Sequence, residues 1–227
     1  MLSGIESDRI EAAVAKSEEG TSGEIIVVLA EEVSKYREIP ISWAAAIALA
    51  VPPIVLAVSA QPLALLAGDL WLVGQAGGLE TDLNLALGAY AMAQIALFLV
   101  VLAVTHIPAV RRWLTPGILK RHRVAKAARH QFAAIGSRAT GSDTGVMIFV
   151  ALADRQVQIQ ADAGIHAKCG EAPWAAAAAA VTSAMKSGDD PTSGIIEAVG
   201  ICGAALREHY PAAAARQSTF SNRPLEV

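Results

Sequence analysis

Residues 41–66, ISWAAAIALAVPPIVLAVSAQPLALL, and residues 83–107, LNLALGAYAMAQIALFLVVLAVTHI, contain no Asp, Glu, Lys or Arg. As a helix the first run reaches about 39 Å, against a bilayer hydrocarbon core of about 30 Å. The second is also long enough for one tilted crossing. The segment between them, Gly68 to Asp82, holds Asp69, Glu80 and Asp82 with Gly74, Gly77 and Gly78, which suits a short exposed turn. Residues 41–110 are therefore expected to form a transmembrane helical hairpin. The competing reading, two core helices of a soluble protein, fails because two such runs joined by so short a loop overload a cytosolic core. Trp43 and Trp71 fall near the ends of the first run, where interfacial aromatics are favoured. Pro52 and Pro53 remove two backbone donors in mid-span, which predicts a kink or break with freed carbonyls facing the partner helix. With no charge near the centre of either run, a channel or pump is disfavoured.

The rest of the composition agrees. Of 227 residues 54% are hydrophobic and 17% charged, with a mean hydropathy of +0.44, too apolar for an ordinary soluble domain. The net charge of -3 gives no global basic field for nucleic acid. Cys169 and Cys202 stand far apart with no metal-ligand spacing, so both read as buried, reduced thiols.

Basic residues flank the hairpin at Lys35 and Arg37 before it and at Arg111, Arg112, Lys120, Arg121, Arg123, Lys126 and Arg129 after it; the loop between the spans has none. The positive-inside rule then puts both chain ends in the cytoplasm and the loop outside, in a two-span inner-membrane protein. The N-terminus, with Glu6, Asp8 and Glu11 and no early apolar run, does not read as a signal peptide.

The flanking pieces complete each other. Asp8 as N-cap and the apolar Ile10 and Val14 predict a helix stopped by Gly20. Ile25 to Ala30 is short, apolar throughout and β-branched, as in a central buried strand. Its partners lie beyond the hairpin: Gly145 to Leu152 reads as a second buried strand, and Gln156 to Ala161 alternates as a half-exposed third, joined to it as an antiparallel hairpin. Leu119 to Gly136 predicts a basic amphipathic helix, with Val124, Ala128, Phe132 and Ile135 on the sheet and Lys and Arg toward anionic lipid. Helices follow at Pro173 to Met185 and Gly194 to His209, separated by a loop over 187–191. The sum is an α/β fold, a three-layer α/β/α sandwich interrupted by the hairpin, with residues 1–40 and 111–211 forming one discontinuous domain and 212–227 a flexible tail.

Several short motifs in these pieces resemble those of the TPM domain family, in the subgroup whose domain a two-helix membrane hairpin interrupts. They are Thr21-Ser22-Gly23-Glu24-Ile25, Asp143-Thr144-Gly145-Val146 running into the second strand, Arg155-Gln156-Val157-Gln158-Ile159 with Asp162-Ala163-Gly164-Ile165 after it, Gly188, and His209-Tyr210-Pro211. The resemblance implies an α/β/α sandwich with a pocket at one sheet end, where some members bind divalent metal and are assigned acid phosphatase activity, and others serve as accessory factors of membrane complexes. The chain departs from the family pattern at Asp143-Thr144-Gly145, usually Asp-Asn-Gly, and at Asp162-Ala163-Gly164, usually Gly-x-Gly.

Sheet ends are expected to bring together Glu24, Asp143, Asp154, Arg155 and Asp162. Clustered carboxylates are hard oxygen ligands, so Glu24, Asp143 and Asp162 are candidate ligands for Ca2+ or Mg2+. The competing reading makes Asp143 a turn residue before its strand, Asp154 and Arg155 exposed hairpin residues and Glu24 a solvated strand-edge charge. No phosphate loop, Cys-x5-Arg signature, G-x-S-x-G or His pair at i, i+4 is present, and no catalytic residue is assigned. The function expected is that of a membrane-anchored accessory or scaffold factor whose partners are the bilayer and another membrane protein, not nucleic acid; the alternative is a divalent-metal-dependent phosphatase.

Overall fold

The computed structural model describes residues 4–34, 36, 38–58, 79–136, 145–188, 190–212 and 221–227. Its elements are α1 (Gly4–Glu18), β1 (Glu24–Ala30), α2 (Glu38–Val58), α3 (Leu79–His106), α4 (Pro108–Leu114), α5 (Gly117–Gly136), β2 (Gly145–Ala151), β3 (Gln156–Ala161), α6 (Ala163–Cys169), α7 (Ala172–Ser187), α8 (Pro191–His209) and β4 (Leu225–Glu226). They divide into two compact units, residues 1–35 with 117–227, and residues 36–116.

The first unit is built on a four-stranded sheet of order β3-β2-β1-β4. β1 and β2 pair in parallel, Ile25 with Val146 through Leu29 with Val150, although the hairpin separates them in sequence. β2 and β3 pair antiparallel, Ile148 opposite Ile159. Every residue of β1 is buried, because both faces of the sheet are covered. Ile25, Val27, Leu29, Val146, Ile148 and Val150 face α1, α6, α7 and α8 through Ile10, Val14, Ile165, Val181 and Ile195. The alternate residues Ile26, Val28, Met147 and Phe149 meet Val124, Ala128 and Ile135 of α5. Period-2 alternation of strand side chains thus produces the three layers.

Three details differ from the sequence reading. The end of the expected flexible tail pairs in parallel with β1, Val28 with Leu225 and Leu29 with Glu226, and the Val227 amide donates to the Leu29 carbonyl at 2.9 Å. β1 would otherwise present an unpaired edge, and a two-residue strand closes it without leaving a periodicity to read. The loop between α7 and α8 is shorter than expected: Gly188 ends α7 at φ 82, and Asp190 caps α8 by accepting from the Thr192 amide at 2.9 Å, with Pro191 in the first turn. Cys202 is fully buried, but Cys169 is only partly so.

In the second unit α2 and α3 pack against each other. Both are long and apolar enough to cross a membrane, over Glu38–Val55 and Leu87–His106. Apart from Thr105, no described residue of the α3 stretch is buried, and Leu49, Ile54, Met92, Ile95 and Leu99 are each more than half exposed. A core helix of a soluble protein would bury such side chains. α2 runs as a helix through Pro52 and Pro53 rather than breaking there. Proline at 52 frees the carbonyl four residues back, and that carbonyl, on Ala48, accepts from Gln94 Nε2 of α3 at 3.3 Å. Gln94 therefore replaces the missing intrahelical bond from the partner helix. The interhelical loop, with Asp69, Trp71 and Gly77, lies outside the described residues.

Candidate functional site

Parallel β1 and β2 put the residues expected to cluster at two different ends of the sheet. Glu24 begins β1 opposite Gly145, the first residue of β2, and Asp162 follows β3 beside the same Gly145. Asp154 and Arg155 lie in the β2–β3 turn, past the opposite ends of these strands. Six residue steps along a strand separate the two ends by about 20 Å. The expected gathering is therefore corrected for Asp154 and Arg155, which stand apart from Glu24 and Asp162 at the start of β1 and β2. Asp154 is buried, not an exposed turn residue, and Arg155 takes a left-handed φ of 50 in the turn. Asp143 lies outside the described residues.

Asp162 already has local work. Asp162 Oδ2 accepts from the Gly145 amide at 2.7 Å, and the Asp162 amide donates back to the Gly145 carbonyl at 3.1 Å. This reciprocal clasp closes the open end of the β2–β3 ladder. Asp162 also precedes α6 at its N-cap position, yet it makes no side-chain bond to that helix, because the carboxylate is turned to the strand. Glu24 is 8% exposed. The backbones of Glu24 and Asp162 stand two strand spacings apart, about 10 Å, so their side chains must lean across Gly145 to share a cation. A third acid stands nearby: Glu18 Oε1 accepts from the Ile25 amide at 2.8 Å. Burial raises the Glu18 pKa, the bond from Ile25 opposes that, the charge of Glu24 raises it further, and a bond with Asn222 lowers it. Oxygen donors of this kind suit a hard cation. Among the described residues, no group of three His, Cys, Asp or Glu is placed to hold a metal ion.

The first and last motifs prove to be one structure. Thr21 and Pro211 form an isolated antiparallel bridge. Thr21 Oγ1 donates to the Tyr210 carbonyl at 2.7 Å and accepts from the Gly23 amide at 3.1 Å, while the Ser22 amide donates to the same Tyr210 carbonyl at 2.9 Å. Gly23 has a steric reason to lack a side chain: a Cβ there would lie 2.8 Å from Cδ2 of the buried Leu206. Lys168 Nζ sits 4.5 Å from the Tyr210 ring centroid, a cation–π contact on the same corner. These residues latch the chain entering β1 to the chain leaving α8. Their role is to hold the sheet against the helices.

A second feature is a groove of about 510 Å³ on the α5 side, with Val33 and Ser34 on one wall and His122, Arg123, Lys126 and His130 of α5 on the other. The basic character of α5 is legible in the sequence. The groove is not, because Ser34 stands far along the chain from the residues it faces, as in the Arg123 Nη1–Ser34 Oγ hydrogen bond. The spacing of His122, Lys126 and His130 at i, i+4 and i+8 is the one signal the sequence offers for it.

The comparisons bear on the same elements. No curated protein matches the chain. A solution structure of the BA42 protein from the psychrophilic bacterium Bizionia argentinensis is similar to it, with a TM-score of 0.56 and 16% identity, covering 100% of this chain and 96% of that one. At that identity the likeness speaks for the fold. Residues 113–205 match the TPM domain family, a segment that begins after the hairpin and takes in α5 to α8 with β2 and β3. β1, stranded before the hairpin, completes the sheet of that segment. Residues 113–205 are thus similar to a TPM domain, and in the fold they pair with a first strand that precedes an apolar helical hairpin in the chain.

Proposed function

We propose that the protein is a membrane-anchored accessory or scaffold factor, whose α/β unit is held at the inner face of the cell membrane by α2 and α3 and binds a component of a membrane complex. The exposure of apolar side chains along α2 and α3 carries this reading. The topology supports it: β1 and β2 are neighbours in one sheet, so the chain must cross the bilayer an even number of times between them. The excess of Lys and Arg outside the hairpin loop supports a cytoplasmic α/β unit. The test is cysteine labelling in intact cells. Cys169 is first replaced by Ser; Cys202 can stay, since full burial pushes its pKa up to about 12 and keeps the thiol protonated and inaccessible. A Gly77→Cys variant is expected to react with an impermeant maleimide from outside, and a Ser221→Cys variant only after lysis. Reaction of the second but not the first in intact cells would reverse the orientation, and reaction of both would refute the two-span anchor.

A second reading, a divalent-metal-dependent phosphatase, is favoured by Glu24 and Asp162 flanking Gly145 and by the matched family's own label, TPM phosphatase. Glu24, Asp143 and Asp162 would hold Ca2+ or Mg2+, which would supply a Lewis acid for the phosphoryl oxygens. The discriminating pair is Asp162→Asn and Asp162→Ala. Asparagine keeps an acceptor for the Gly145 amide; alanine strands that amide and is expected to cost about 1–3 kcal/mol in thermal or urea unfolding. If Asp162 serves structure alone, Asp162→Asn retains most of the stability, and neither wild type nor Asp143→Ala releases phosphate from a generic ester with added metal. Metal-dependent release abolished by Asp143→Ala and Asp162→Asn, at unchanged stability, would establish the enzyme.

A further inference from the structure

We infer that the groove between α5 and the chain leaving β1 is a binding site for a phosphate group. Five features of the α/β unit converge on it. His122, Lys126 and His130 lie along one stripe of α5, and Arg123 projects beside them. The opposite stripe of the same helix, Val124, Ala128 and Ile135, is buried on the sheet, so the helix cannot roll to withdraw the basic side chains. The far wall supplies Ser34, whose hydroxyl accepts from the Arg123 guanidinium and so fixes the guanidinium fork at the mouth of the groove. No carboxylate lines the groove among the described residues. Its volume of about 510 Å³ falls within the range of small-ligand sites, roughly 300–1,000 Å³.

The chemistry selects the ligand class. Arg offers a planar pair of donors that matches two phosphate oxygens, Lys a mobile point charge, and each imidazole at least one N–H donor. From His122 to His130 the stripe rises about 12 Å, room for one phosphate and its substituent rather than for a polynucleotide backbone. Among the described residues the lining has no Phe, Tyr or Trp, the large platforms on which successive bases of a single strand stack. The same phosphate chemistry reaches the groove from two sources, an anionic lipid headgroup or a soluble phosphate ester. The proposal deepens the accessory reading by naming what one face of the α/β unit takes, and it rests on that reading only for the lipid source.

The test uses the full chain in phosphatidylcholine nanodiscs, with the imidazole NMR signals of His122 and His130 as readout. In one arm inorganic phosphate and then glycerol 3-phosphate are titrated; in the other the discs are made with phosphatidylglycerol. Saturable shifts in the first arm identify the soluble source. Shifts already complete in anionic discs, with no further response to phosphate, identify the lipid source. Loss of one charge-assisted contact predicts that Lys126→Glu weakens binding at least about tenfold. Lys186→Glu, an exposed position of α7 on the other face of the sheet, is expected to stay within about twofold, since a distant surface charge contributes little. No shift in either arm overturns the proposal. So does equal weakening by the two variants, which would leave only a diffuse basic surface. Carbonate extraction of the same preparation separates a failed anchor from a failed groove.

Discussion

The Gly203→Val variant is expected to lose the seating of α1 and with it most of the stability of the α/β unit. A Cβ at position 203 would stand 2.7 Å from the Ser17 Cβ and 2.8 Å from the Ser17 carbonyl oxygen. The second contact is to backbone, so no rotamer change relieves it; α1 must move as a body. That motion would open the packing of Ile10 and Val14, both fully buried, and displace the Arg207 Nη1 bond to the Ser17 carbonyl at 3.1 Å. Overpacking of a core ordinarily costs about 1–3 kcal/mol and exceeds that where backbone must yield, so a loss of about 3 kcal/mol or more is expected. A domain holds only about 5–15 kcal/mol in all. The control is on the same helix. A Cβ at Gly200 would meet nothing within 4 Å, so Gly200→Ala is expected to be neutral or to stabilise by up to about 1 kcal/mol through helix propensity. Urea unfolding of both variants, with amide exchange in α1 and α8 as the local readout, checks the contrast. Equal midpoints would mean that the approach of α1 to α8 is not the constraint described.

That close approach also marks where the sequence stops being readable. The apolar runs, the uninterrupted β-branched Ile25 to Leu29 and the alternating Gln156 to Ala161 announce themselves by composition and periodicity, and over the described residues the structure forms helices and strands from them. The pairing of β1 with β2 follows from their shared apolar character. Gly23, Gly194 and Gly203 read in the sequence as residues of no special place. Each is instead a contact point, against Leu206, Ala184 and Ser17 respectively, and only the packed partner reveals it. The carboxylates mislead for a related reason. The expected antiparallel hairpin already sets Asp154 and Arg155 at its turn, away from Asp162, and only the parallel pairing of β1 with β2, a direction the sequence does not mark, places Glu24 beside Asp162's end. The basic groove needs Val33 and Ser34 beside α5, a juxtaposition made by the tertiary fold. The proline pair is half legible: a freed carbonyl facing the partner helix is expected, and Gln94 is the residue that meets it, so α2 continues without a break.

The anchor faces its sharpest test at Leu99, which lies within the apolar stretch of α3 and is 56% exposed. If α3 lay on a soluble surface, Leu99→Arg would exchange one solvated side chain for another and change stability by no more than about 0.5 kcal/mol. In a bilayer the same change gives up the favourable insertion of leucine and adds the cost of arginine near the helix centre, together about 3–4 kcal/mol. That corresponds to a shift of more than about a hundredfold in the insertion equilibrium, since each 1.4 kcal/mol is about tenfold. The Leu99→Arg chain is therefore expected to leave the membrane fraction on carbonate extraction or to be degraded, while Leu99→Ala remains embedded. Gln94, already polar, marks what the span tolerates: an amide with a backbone acceptor in reach and another on the Tyr90 hydroxyl at 3.4 Å. An arginine at 99 would face the exposed side of α3, with no such partner among the described residues, so its charge must be met by lipid headgroups or water. Retention of Leu99→Arg in the carbonate-resistant fraction at wild-type level would mean that hydrocarbon is not the solvent of this helix.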